Sequence, residues 1–129
     1  MAFVLEHSDR YSWPVTVKVA QDGGRFRSFT FDVEFKRVSQ ARREELGRQL
    51  LVQKGRIEAG LIEGEILTPR QIADELVVGW SGILDREGEG GKPVLFSEGS
   101  KYLLLNIGDV ADAILAAWNA SIPGAKAGN

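Results

Sequence analysis

Two neighbouring stretches in the first third of the chain, "PVTVKVA" and "RSFTFDVEFKR", alternate between apolar and polar residues. A period of two is typical of a β-strand with one buried face. Between the stretches, Asp22-Gly23-Gly24 supplies the positive φ angles that a tight hairpin turn requires. The rest of the chain should cover the apolar face, because burying each large side chain is worth about 1.5 to 3 kcal/mol. That face consists of Val15, Val17, Val19, Phe29, Phe31, Val33 and Phe35.

The run "AFVLE" near the N-terminus is a candidate for a third strand, and Pro14 limits where the next strand can begin. From Ser39, a predicted N-cap, the apolar period changes to that of a helix. Leucine and isoleucine recur at helical spacing through this segment, at Leu46, Leu50, Ile57 and Leu61.

A second helix is predicted in "TPRQIADELVVGW". Thr68 is its expected N-cap, Pro69 occupies the first helical position, and Gln71 completes a capping box. One apolar stripe of this helix is expected to include Ile72, Leu76 and Trp80, and the helix is expected to end at Gly79 or Gly82.

The last third of the chain reads as a loop followed by two short helices. The segment "LDREGEGGKPV" is rich in glycine and closed by a proline, which predicts a loop. Ser97 is predicted to cap a short helix containing "KYLLL", and Asp109 to start a final one. In that final helix Val110, Ile114 and Trp118 recur every four residues.

These elements predict an α+β fold, with an N-terminal antiparallel β-hairpin or small sheet packed against three to four helices. Residues 1–129 are expected to form a single domain. Residues 1–38 are predicted to be mainly β, 39–121 mainly α, and 122–129 a flexible tail. The apolar sheet face is expected to pack against four helical residues, Ile72, Leu76, Ile114 and Trp118.

Composition narrows the function classes. The chain has no cysteine, which excludes disulfides, thiol catalysis and thiolate metal sites. The net charge is -2, so no overall positive charge favours a nucleic-acid partner. The basic run "KRVSQARR" is followed at once by "EEL", which indicates a solvated helix face, although a small nucleic-acid-binding regulator stays open as a minor alternative. No apolar run approaches the ~20 residues of a membrane helix, and no secretory signal is evident, so we expect a cytoplasmic protein without membrane contact.

Candidate catalytic and ligand-binding groups are weak. "GEGGK" lacks the glycine spacing and the following Ser or Thr of a phosphate-binding loop, and Pro93 offers no backbone N–H. His7 is the only histidine, so one chain cannot build a histidine-pair metal site. Adjacent carboxylates and scattered serines lie in polar or loop contexts unsuited to acid/base or nucleophilic work. We therefore expect no enzymatic activity and no cofactor or metal.

The three tryptophans, Trp13, Trp80 and Trp118, are first expected to be core residues. Trp80 stands between glycines that let another backbone approach closely, a setting that also suits an interface anchor. The candidate partner-binding or motif residues are Trp13, Pro14, Phe29, Phe31, Phe35, Gly79, Trp80, Gly82, Ile83 and Phe96.

In combination these landmarks resemble the small tail assembly chaperones of long-tailed bacteriophages and prophages. The matching segments cover most of the chain and occur in one order: "YSWPVTVKVAQDGGRF", "FTFDVEFKRVSQARREEL", "ADELVVGWSGILDREG" and "PVLFSEGSKYLLLNIGDVADAILAAWNAS". They comprise a hairpin with an aromatic second strand, a charged helix, a Val-Gly-Trp-Ser-Gly turn, a Pro-x-x-Phe-Ser cap and a final helix.

The resemblance implies a non-enzymatic role in the host bacterial cytoplasm. Such proteins bind the tape measure protein, keep its long apolar helices soluble, help recruit tail tube subunits, and leave before the virion is complete. The alternative is a structural tail or head-tail joining protein that stays in the particle and forms rings. Because an aromatic hairpin has an open edge strand, pairing with a second copy into a homo-oligomer is also expected.

Overall fold

The computed structural model describes residues 1–61 and 67–123, and the predicted tail beyond Pro123 lies outside the described residues. The predicted hairpin is confirmed. Strand β1, Arg10–Gln21, pairs antiparallel with strand β2, Arg25–Lys36, in a register that places Val15 opposite Phe31. The turn between them uses positive φ angles of 81° and 76° at Gly23 and Gly24, a conformation that glycine adopts without steric cost.

A third strand completes the sheet, but it is not the predicted one. Strand β3, Val77–Ser81, pairs antiparallel with β2, so the strand order is β1-β2-β3. The expected third strand at "AFVLE" is wrong, since these residues lie outside all strands and are exposed. The expected continuation of the second helix to Trp80 is also wrong. At Val77 the chain leaves the helix and pairs with β2 opposite Phe35.

Four helices accompany the sheet: α1 Gln40–Glu58, α2 Pro69–Leu76, α3 Glu98–Leu105 and α4 Val110–Ala120. The predicted N-caps are confirmed, because the side chains of Ser39, Thr68 and Ser97 each accept a hydrogen bond from a first-turn backbone N–H. Thr68 and Ser97 form complete capping boxes. Asp109 precedes α4 as expected, but with a left-handed φ of 67° and no side-chain cap.

The core lies between the apolar face of the sheet and helices α2 and α4, as the sequence predicts. Its buried residues are Val15, Val17, Phe31, Val33, Phe35, Leu46, Ile72, Ala73, Leu76, Val77, Leu105, Val110 and Ile114. Trp118 packs at the margin and is partly buried. Val19, expected in the core, is 39% exposed, because it lies near the hairpin tip. The α+β architecture is thus a one-sided sheet with its apolar face covered by helices.

Within the described residues, no single helix is long and apolar enough to cross a membrane. Helices α3 and α4 together have the length and apolar composition of a membrane-crossing helix, but the chain bends by 101° between them.

Candidate partner-binding surfaces

Trp80 joins the third strand to the loop that returns from it. Its indole N–H donates a 2.7 Å hydrogen bond to the backbone carbonyl of Val94, and its ring meets Phe96 edge-on at 5.0 Å between centroids. Across the sheet, Trp80 is paired with Val33. Two of the predicted motif residues, Trp80 and Phe96, are therefore brought together, and their contact closes the loop of residues 82–96 onto the sheet.

The two glycines beside Trp80 have different settings. Gly79 lies opposite Glu34 in strand β3, and a Cβ atom at Gly79 would displace the flexible end of the Glu34 side chain. Gly82 turns the chain with a φ of 85°, a conformation that residues other than glycine rarely adopt. Next in the chain, the carbonyl of Ile83 accepts the backbone N–H of Val94 at 2.8 Å. The Val-Gly-Trp-Ser-Gly segment is thus a strand followed by a tight turn.

Four of the predicted partner-binding residues, all in the hairpin, occupy three different settings. Phe31 and Phe35 are buried in the core. Phe29 is half-buried under the guanidinium of Arg27, whose Cζ lies 5.0 Å from the ring centroid. Pro14 lies on the opposite, polar face of the sheet, exposed on the edge strand, where the missing backbone N–H is tolerated. Phe31 and Phe35 therefore contribute to the core, while Phe29 and Pro14 remain near the surface.

Lys101 is a buried residue that sequence reasoning missed. Its side chain is only 6% exposed, and Nζ donates to the backbone carbonyl of Asp74 at 2.9 Å. The same Nζ forms ion pairs with the carboxylates of Asp74 at 3.2 Å and Glu98 at 3.4 Å. A buried ammonium requires such partners, and these partners attach α3 to the C-terminal end of α2. The Glu98–Lys101 spacing of three residues was the available sequence signal.

Arg42 and Glu75 connect the N-terminal part of α1 to α2. Arg42 Nε donates to one carboxylate oxygen of Glu75 at 2.9 Å, and Nη2 donates to the other at 2.5 Å. The hydrogen bond from Arg42 lowers the pKa of Glu75 from its ordinary value, against the opposing effect of partial burial. The same hydrogen bond raises the pKa of Arg42. A bidentate pair of this kind fixes orientation as well as distance.

Beyond this attachment, α1 carries exposed apolar residues. Leu46 is the one buried residue of the helix, while Leu51 is 71% and Val52 is 52% exposed. We call Leu50, Leu51, Val52 and Ile57 the α1 apolar surface; all four are exposed. Because successive residues are rotated by about 100° around a helix axis, Leu50, Leu51 and Val52 face three different directions. These exposed apolar residues stand on a helix that is otherwise largely polar.

A groove opens where the start of β1 meets the end of α4. Its volume is about 510 Å³, and its lining includes Tyr11, Trp13, Arg37, Arg43, Trp118 and Ile122, which we call the Trp13 groove. The Tyr11 hydroxyl lies 2.8 Å from the Ser121 Oγ, which ties β1 to the end of α4. Trp13 thus lies in a groove wall with Trp118, while Trp80, which is paired with the other side of Val33 in the sheet, does not line the groove.

The described residues contain no group of three or more His, Asp or Glu side chains placed to hold a metal ion. His7 is exposed and contacts the ring of Phe3 at 5.2 Å between centroids. Candidate partner surfaces among the described residues include the α1 apolar surface, the Trp13 groove and the open edge of β1. Comparison with protein-family models, with curated proteins and with solved structures finds no match in any of the three.

Proposed function

We propose that this chain is a non-enzymatic phage tail assembly chaperone that binds the tape measure protein, keeps it soluble and promotes tail tube assembly. The proposal rests on the order of segments that resembles this family. One observation from the structure supports it, namely the α1 apolar surface, where Leu50, Leu51, Val52 and Ile57 are exposed on a regular helix.

The physical requirement of such a chaperone is an apolar surface that can cover the apolar stripe of another helix. Helix α1 has 19 residues, which corresponds to a length of about 28 Å at 1.5 Å per residue. A helix of this length can lie along several turns of a partner helix. At about 25 cal/mol per Å² of apolar area removed from water, covering any of these four side chains favours association, and because they face different directions the partner has to contact α1 on more than one side. Long apolar helices aggregate when their stripes stay uncovered.

The α1 apolar surface can be tested without disturbing the core. In the double variant Leu51→Gln, Val52→Gln, both changes fall on exposed positions, and glutamine is a good helix former. Thermal melting should stay close to that of the unchanged chain, while retention of co-expressed tape measure protein on the tagged chain should fall at least about tenfold. Leu103→Gln is the matched control, because Leu103 is also exposed, at 69%, but lies on α3. Equal retention by the double variant and the control would contradict the assignment of α1.

The protein composition of the finished particle distinguishes the chaperone from the alternative, a tail or head-tail joining protein that stays in the particle. Quantitative mass spectrometry of purified virions should find the chain missing if it is a chaperone that leaves during assembly. A structural component should be present in several copies per particle, in the stoichiometry of a ring. Ring-like stoichiometry in finished virions would replace the chaperone proposal by the structural one.

A further inference from the structure

The Trp13 groove combines apolar walls with two arginines that have no acidic partner among residues 1–61 and 67–123. Among the described residues, neither Arg37 nor Arg43 lies within ion-pair distance of a carboxylate. Arg37 donates through Nε to the backbone carbonyl of Ser8 at 2.9 Å, and its Cζ lies 4.9 Å from the ring centroid of Tyr11. These contacts fix the Arg37 side chain at the groove and leave its terminal N–H groups available.

Arg43 differs from the neighbouring arginine of α1. Arg42 is engaged by the carboxylates of Glu45 and Glu75, whereas Arg43 makes no side-chain hydrogen bond to another residue of ranges 1–61 and 67–123. Even so, Arg43 is half-buried at the groove wall. Because no fully buried side-chain nitrogen of the described residues lacks a hydrogen-bond partner, the Arg43 donors are open to solvent, and their planar fork matches a carboxylate group.

The walls of the groove add an apolar requirement. Trp13 and Trp118 are both half-buried, and neither indole N–H donates to a described residue. Each ring therefore offers an apolar surface together with a free donor at its edge, the combination that is enriched at protein interfaces. A cavity of about 510 Å³ lies within the range of ligand-binding clefts and accommodates one or two side chains.

We propose that the Trp13 groove binds a peptide segment of a partner protein in which a carboxylate side chain neighbours a large apolar side chain. The apolar side chain lies between Trp13 and Trp118, and the carboxylate pairs with Arg43 and Arg37. This assignment does not depend on the chaperone role, because it concerns a surface distinct from the α1 apolar surface. The chain has a net charge of -2, whereas the groove carries the positive charges of Arg37 and Arg43. This local positive charge favours acidic partners.

The test is an NMR titration of the full ¹⁵N-labelled chain with the peptide acetyl-Gly-Asp-Phe-Asp-Leu-Gly-amide. The three indole N–H signals report on different places, because Trp80 is bonded to Val94 outside the groove. The signals of Trp13 and Trp118 should shift and saturate together, while that of Trp80 stays in place. Raising sodium chloride from about 50 to about 500 mM should weaken binding, because exposed charge pairs are screened.

Control peptides separate the two parts of the recognition. Replacement of both aspartates by asparagine, or of Phe and Leu by serine, should each weaken binding at least about tenfold. Acetate alone should cause no saturable shift of Trp13 and Trp118. Equal binding of the asparagine peptide, or saturation by acetate alone, would overturn the proposal.

A variant pair tests the arginines. Arg43→Gln removes a side chain without internal hydrogen bonds, so the fold should melt as before while the dissociation constant of the acidic peptide rises about fivefold to twentyfold. Arg48→Gln is the matched control on the same helix and should leave the dissociation constant within about twofold. Equal effects of the two substitutions would overturn the proposal. A chain that ends at Pro123 provides a further test. If it binds the peptide at least about tenfold more tightly, the protein's own last residues are the occupant of the groove, and the proposal is overturned.

Discussion

The contacts of Trp80 predict a definite loss of stability when the indole is removed. Its hydrogen bond to the Val94 carbonyl, at 2.7 Å, contributes about 1 kcal/mol. Its edge-on contact with Phe96, at 5.0 Å and an interplanar angle of 82°, contributes about 0.5 to 1.5 kcal/mol. Truncation of a fully buried tryptophan to alanine costs about 3 to 5 kcal/mol, and Trp80 is only half-buried. We therefore expect Trp80→Ala to lower the free energy of unfolding by about 2 to 4 kcal/mol.

The variant Trp80→Phe divides this loss into its parts. A phenylalanine retains an aromatic contact with Phe96 but cannot donate to Val94, so the expected loss is about 1 kcal/mol. Urea titration followed by far-UV circular dichroism measures both free energies. Hydrogen exchange adds a local readout, because the Val94 amide, bonded to the Ile83 carbonyl at 2.8 Å, should exchange faster in Trp80→Ala. If Trp80→Ala melts like the unchanged chain and loses partner binding instead, Trp80 is an interface anchor and the reasoning is refuted.

Three further predictions concern the Arg42–Glu75 ion pair, two glycines and the open edge of β1. Arg42 lowers the pKa of the Glu75 carboxyl in the folded state. The ion pair therefore stabilises the fold fully when the pH is above the ordinary pKa of 4.5, and this contribution is lost as the pH falls through the lowered folded-state pKa. Glu75→Gln should therefore cost about 1 kcal/mol at neutral pH and nothing at the acid end of a urea-titration series; a pH-independent cost would contradict this. Gly82→Ala should destabilise the fold by about 1 to 2 kcal/mol, because φ is positive at Gly82. Gly47→Ala in α1 should stabilise the fold by up to about 1 kcal/mol. A higher melting temperature for Gly82→Ala than for Gly47→Ala would refute the argument. Light scattering should show self-association through the open edge of β1, and a constant mass of 14.2 kDa at all concentrations would exclude it.

The elements that depend on local chemistry could be predicted from the sequence. The hairpin follows from strict alternation and from two glycines at its turn, and the starts of α1, α2 and α3 each follow from a Ser or Thr whose side chain accepts a first-turn N–H. The packing of Phe31 and Phe35 against α2 and α4 also follows, because their face of the hairpin requires a cover.

Strand β3 could not be predicted in this way. The spacing of Leu76 and Trp80 is compatible with a helix that continues to Trp80 and also with a helix that ends at Leu76. The strand is formed because β2 has an open edge, which the local sequence does not reveal. Pairing with β2 satisfies the backbone groups of Val77 to Ser81 that face β2, and this pairing outweighs the local helical pattern. Lys101 and the Trp13 groove were missed for a related reason. Both are assembled from elements distant in sequence, as in the contact of β1 with the end of α4.

The proposed chaperone role is tested most directly by the soluble fraction of a phage tape measure protein that is co-expressed with this chain. The two proteins are co-expressed, the lysate is cleared by centrifugation, and the tape measure protein is quantified in supernatant and pellet. The account predicts that the tape measure protein is found mainly in the pellet when expressed alone and mainly in the supernatant, bound to this chain, when co-expressed. The same distribution with and without this chain would contradict the account.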